Sequence, residues 1–102
     1  MVVYEINIDL DPEIYDDFVL WNQGQMVELI ALPGFRKAVV YTQKDTPHSL
    51  SVQYHLTNMD ALEHYAVNYV PKLRAEAERR FSGKFKASKR ILKKESVMEV
   101  EA

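Results

Sequence analysis

Along residues 49–57, apolar and polar positions alternate almost without interruption. Leu50, Val52, Tyr54 and Leu56 fall on one side, and Ser51, Gln53 and His55 on the other. The first nine residues repeat the pattern, with Val2, Tyr4, Ile6 and Ile8 set against Val3, Glu5, Asn7 and Asp9. Successive side chains of a β-strand point to opposite faces, so both segments predict strands of a sheet with one apolar and one polar face.

Between them the period changes. Asp11-Pro12-Glu13 predicts a helix start, with Asp11 as cap, Pro12 at the first helical position and Glu13 at the positive end of the dipole. Ile14, Phe18, Trp21, Leu29 and Ile30 form one apolar stripe, which carries the helix over 12–32 until Leu32-Pro33-Gly34 ends it. Gly24 lies inside that helix at a cost of about 1 kcal/mol relative to alanine, and a bend is expected there. A second strand over 35–43 leads through Lys44-Asp45-Thr46-Pro47-His48 into the third, which predicts a hairpin with His48 exposed in its loop.

Thr57-Asn58-Met59-Asp60 resembles a capping box, and Leu62, Tyr65, Tyr69, Leu73, Ala77 and Phe81 follow at helical spacing. Pro71 removes a helical hydrogen bond, so a kink or two helical pieces meeting near Tyr69–Val70 is expected. Gly83 suits a left-handed residue after the helix, and a fourth strand spans about 84–93, with 95–102 extending it or staying loose. The order is β-α-β-β-α-β. It predicts a single α+β domain over 1–102, ferredoxin-like, with two helices on one face of a four-stranded antiparallel sheet in the order 4-1-3-2.

The chain has 102 residues, 47% of them hydrophobic and 27% charged, the balance of one small folded domain rather than a disordered one. It has no cysteine, which excludes disulfides, thiolate nucleophiles and cysteine metal sites. No apolar run approaches the roughly 20 residues that span a bilayer, and no signal-peptide pattern opens the chain, so a cytoplasmic protein without membrane contact is expected.

The net charge of −2 conceals an asymmetry. Residues 1–71 carry −7, residues 72–94 carry +8, and the tail carries −3. The basic strip of Arg79, Arg80, Lys84, Lys86, Lys89, Arg90, Lys93 and Lys94 could meet an anionic partner. The acidic remainder, the absence of a nucleic-acid-binding motif and the absence of exposed aromatic strand pairs argue instead for internal or dimer-face pairing. Nucleic acid is therefore not an expected partner.

The chemistry gathers on the polar sheet face. His55 is the leading acid–base candidate, because imidazole titrates near neutral pH, and Glu5 and Asn7 stand with it as candidate catalytic residues. Gln53 and Arg90 are candidate ligand-binding residues there, and Arg90 beside the first strand is expected to pair with Glu5. Three scattered histidines make no metal site, and three glycines make no phosphate-binding loop, so no metal or cofactor is assigned. The tyrosines, including Tyr4, Tyr54, Tyr65 and Tyr69, read as core residues.

Val3-Tyr4-Glu5, Ser51-Val52-Gln53-Tyr54, Pro71-Lys72-Leu73-Arg74-Ala75-Glu76 and Phe81-Ser82-Gly83-Lys84 together resemble a small bacterial family known only as a domain of unknown function. That resemblance implies a dimeric α/β barrel in which two sheets pack face to face, bringing Glu5, Asn7, Gln53 and His55 into a shared interior. It also implies a histidine-containing stretch after Trp21, where this chain has Gly24-Gln25-Met26-Val27. Asn7, Trp21 and His64 separately resemble the residues of small barrel oxygenases, some of them haem-degrading, and imply Trp21 and His64 as further ligand-binding candidates. The functional expectation is a homodimeric protein that binds an unidentified small molecule, with an enzymatic role open. A haem-binding or cofactor-free monooxygenase, or a module for an anionic partner, are the alternatives.

Overall fold

The computed structural model describes residues 1–100. Strand β1 (Val2–Leu10) leads through a short 3-10 turn at Pro12–Ile14 into helix α1 (Tyr15–Leu29). Strands β2 (Phe35–Gln43) and β3 (Thr46–Leu56) follow, then helices α2 (Met59–Asn68) and α3 (Val70–Phe81), and finally strand β4 (Phe85–Lys93). The sheet order is β2-β3-β1-β4, all neighbours antiparallel, as the ferredoxin-like reading requires. Residues 94–100 follow β4 without regular structure, and the rest of the expected tail, 101–102, lies outside the described residues.

The alternation in β1 and β3 acts as expected. Tyr4, Ile8, Val52, Tyr54 and Leu56 are buried against the helices, Val52 and Leu56 completely. Tyr65 of α2 anchors the layer, its ring 5.4 Å from Tyr4, 5.3 Å from Phe35 and 5.9 Å from Tyr54. Phe18 of α1 makes a second aromatic centre with Trp21 and Phe81. Burying side chains of this size contributes roughly 1.5–3 kcal/mol each, which is what holds the helices on one face. Pro71 divides the second helical run as expected, because its ring cannot continue the helix from Tyr69, whose φ of −121° already leaves helical geometry.

Several local expectations change. Asp11 makes no side-chain cap, since the chain enters through the 3-10 turn and the Ile14 N–H bonds to the Asp11 carbonyl oxygen instead. The cap of α2 is Asn58 rather than Thr57, with its Oδ1 accepting from the Ala61 N–H at 2.9 Å. The β2–β3 hairpin turns on Lys44 and Asp45 alone, so Thr46, Pro47 and His48 belong to β3. A register irregularity after Thr42 absorbs the extra residues. His48 takes a positive φ of 69° there and is half-buried, its ring 5.0 Å from that of Tyr15, rather than exposed.

Candidate functional site

The open face of the sheet, away from the helices, carries the polar rows of β1 and β3. Cross-strand pairing sets Glu5 opposite Gln53 on one side and Arg90 on the other, with Asn7 opposite Ser51. The Glu5 carboxylate accepts from Gln53 Nε2 at 2.9 Å, from Asn7 Nδ2 at 3.1 Å and from Arg90 Nε. Two further bonds feed the network: His55 Nε2 lies 3.2 Å from Gln53 Oε1, and Ser51 Oγ donates to Asn7 Oδ1 at 2.6 Å. Glu5, Asn7, Gln53, His55 and Arg90, expected on one polar face, are thus joined by hydrogen bonds into one network.

Its electrostatics favour structure over proton transfer. Hydrogen bonds from Arg90, Gln53 and Asn7 hold the Glu5 carboxyl down at about 2, although the side chain is buried. A carboxylate so acidic and so fully engaged is a poor general base near neutral pH. Partial burial, with Lys37 and Lys94 nearby, lowers His55, which favours its neutral form.

The opposite side of the sheet holds a different kind of site. Between α1, α3 and strands β1 and β4 lies a cavity of about 380 Å³. Its walls are Phe18 and Trp21 from α1, Leu73 and Ala77 from α3, Tyr4 and Ile8 from β1, and Phe85 from β4, with Tyr54 and Tyr65 alongside. Arg74, Glu78 and Lys89 also line it and are exposed, which places them at its mouth. Burial raises the phenols of Tyr4, Tyr54 and Tyr65, and each stays a protonated donor. Volume, apolar lining and a few polar groups match the ordinary form of a small-molecule pocket.

A family model matches residues 1–95. The chain belongs to DUF4286, a domain of unknown function. No curated protein matches it by sequence. Solved structures share the fold. A candidate antibiotic biosynthesis monooxygenase from Deinococcus radiodurans superposes with a TM-score of 0.80 at 11% identity over 100% of both chains. A mutant of SnoaB, a cofactor-independent oxygenase from Streptomyces nogalater, gives 0.76 at 14% identity over 95% of this chain and 96% of its own. A mutant of MhuD with two manganese protoporphyrin IX molecules bound per active site gives 0.70 at 18% identity over 100% of both. At these identities the likeness is one of fold.

In the DUF4286 chain the trio Asn7, Trp21 and His64 does not come together. Asn7 lies in the open-face network, and Trp21 packs between Phe18 and Phe81 on the cavity wall. His64 is exposed on α2, where Asn68 Nδ2 lies 3.2 Å from its Nδ1. Trp21 is thus the one sequence candidate that lines the cavity. Its indole Nε1 is buried without an acceptor among the described residues, an arrangement that costs about 1–3 kcal/mol. Half of the basic strip is engaged internally: Arg79 and Arg80 pair with Glu76, Lys84 with Glu13 and Arg90 with Glu5.

Lys89 and Arg74 entered the sequence analysis only within the basic strip and a family motif, not as residues of a cavity. Lys89 occupies a helix-facing position of β4, opposite Ile6, in the row Phe85, Ala87, Lys89, Ile91. Arg74 adjoins Leu73 on the helix that closes the cavity. A charge in an apolar row was the available signal, hidden within the basic segment as a whole. No helix among the described residues is long and apolar enough to cross a membrane.

Proposed function

We propose that this DUF4286 domain binds a small, planar, largely apolar molecule in the cavity between α1, α3 and the sheet. The observation that carries the reading is the cavity itself: about 380 Å³ walled by aromatic side chains in a domain of only 102 residues. The pocket opens to solvent on one side and is mostly apolar inside, the ordinary form of a site that admits a small ligand. In an enzymatic form of the reading, the protonated phenols of Tyr4, Tyr54 and Tyr65 would donate hydrogen bonds to substrate oxygens. The SnoaB likeness is compatible with that form.

A haem version is disfavoured by the residues present. No histidine lines the cavity among the described residues, and His64 is exposed on α2. The residues do not fit an imidazole-ligated iron.

Phenylnaphthylamine, a neutral fluorescent probe, tests the reading. Trp21 is the sole tryptophan and lies on the wall, so excitation energy should pass from it to bound probe. At a hundred times Kd the stabilisation should reach about 2.7 kcal/mol, which raises Tm by about 10–20 °C for a domain of this size. Ala77→Leu, which fills the cavity from α3, should remove both signals while the far-ultraviolet circular dichroism stays unchanged. Absence of transfer and of stabilisation in the unaltered protein would contradict the proposal.

The open face is proposed as the contact with a second copy, keeping the cytoplasmic homodimer expected from the sequence. Glu5 is already 95% buried there, and its charge is matched by Arg90. The flanking Val39 and Leu92 are half-buried, and Tyr41 is exposed on the same face. Light scattering at micromolar concentration should report a mass near two chains. A single-chain mass would remove this part and leave the cavity reading standing.

A further inference from the structure

We infer that the ligand of this cavity is a planar aromatic anion, held with its ring among the aromatic walls and its charged group between Arg74 and Lys89. The inference rests on the cavity reading above and adds the chemical class of the ligand.

Two cations approach one buried residue from different elements. Lys89 Nζ stands 5.9 Å from the centroid of the Tyr4 ring, and Arg74 on α3 acts electrostatically on the Tyr4 phenol. Both line the cavity, and neither takes part in an ion pair among the described residues. Four other bases are paired with acids, Arg79 and Arg80 with Glu76, Lys84 with Glu13 and Arg90 with Glu5, whereas Arg74 and Lys89 are the two cations that line the cavity. Among the described residues, Glu78 is the single carboxylate on the cavity wall, and it makes no ion pair with Arg74. The mouth therefore carries two positive charges against one negative.

The position of Lys89 strengthens the case. Lys89 shares the helix-side row of the edge strand β4 with Ala87 and Ile91, all three exposed, and it lines the cavity where that row meets solvent. That placement sets the ammonium at the junction of an apolar chamber and solvent, where a carboxylate or sulfonate would be partly desolvated and charge-assisted hydrogen bonds are strongest. Tyr4, kept protonated by burial, adds a neutral donor and no competing negative charge. The ring of such a ligand would be covered by Phe18, Trp21 and Phe85.

The matched probes phenylnaphthylamine and anilinonaphthalenesulfonate share one ring system and differ by a sulfonate. The sulfonate should bind about tenfold or more tightly at low salt. Raising ionic strength should shrink that advantage, since both cations are exposed. The Arg74→Gln, Lys89→Gln double variant alters only exposed side chains, so it should fold. It should lose the sulfonate preference and retain neutral-probe binding.

Displacement of the sulfonate by phenylnaphthylamine would establish that both occupy one cavity, independently of whether Ala77→Leu folds. Equal affinity for the two probes, or a preference that survives the double variant, would overturn the anion inference and leave the cavity reading intact. Binding of neither probe would remove the cavity reading and this inference with it.

Discussion

Replacing Glu5 by alanine is expected to cost about 2–3 kcal/mol, a fall in Tm of roughly 10–20 °C for a domain of this size. The carboxyl sits at about 2 against an ordinary 4.5, and each unit of difference corresponds to about 1.36 kcal/mol. The full conversion is an upper figure, because Arg90 is 65% exposed and solvent screens its charge. Alanine also strips an acceptor from Gln53 and Asn7, which then strips support from His55 and Ser51.

A folded-state pKa below the unfolded one adds stability that is fully present above about 4.5 and is lost as pH falls through about 2. Urea unfolding at a series of pH values should therefore show a stability decline between those limits in the unaltered protein. Glu5→Gln should flatten it. An unchanged acid limb in the glutamine variant would show that other carboxylates govern the decline.

Gly34→Ala should be comparably damaging for a different reason. Gly34 has a φ of +87°, a left-handed conformation that costs an L-residue roughly 1–2 kcal/mol. A Cβ there would lie 2.5 Å from Ala61 Cβ, in the first turn of α2, where no flexible side chain can yield. Its carbonyl oxygen also accepts the Thr57 N–H at 2.9 Å, so the junction of β2, β3 and α2 cannot shift freely. Overpacking adds about 1–3 kcal/mol, giving about 2–5 kcal/mol in denaturant titration. Gly83→Ala is the control: its φ is +73° but nothing lies within 4 Å of the added Cβ, so only the conformational cost applies. Equal losses at the two positions would show that crowding against Ala61 is not felt.

The sequence carried the fold where patterns were unambiguous. The alternation around Tyr4 and Tyr54 defined the sheet, and the Arg90–Glu5 pair followed from strand order and residue parity. It failed where one residue of register decides the outcome. Thr57 and Asn58 are both acceptable caps, and only backbone geometry selects Asn58. The hairpin loop contracted to Lys44-Asp45 because a bulge, which leaves no compositional mark, absorbed His48.

The candidate site divided along the same line. Polar residues on the open face were conspicuous because they cluster at period two. The cavity was not, because a chamber is made by side chains failing to meet, and Phe18, Trp21 and Tyr65 read as ordinary core from their spacing alone. Its edge was marked by Lys89, one charge on the helix side of the edge strand, and that mark was lost among ten bases in a stretch of 23 residues, 72–94.

Nitrogen–proton correlation spectra recorded while phenylnaphthylamine is titrated into the protein test most directly where a small molecule binds. The cavity account predicts that the largest shift changes fall on the Trp21 indole N–H and the backbone amides of Leu73, Ala77 and Phe85, with the Arg90 Nε–H and the amides of Gln53 and His55 nearly unmoved. Changes concentrated at Gln53, His55 and Arg90, or none that saturate, would contradict it.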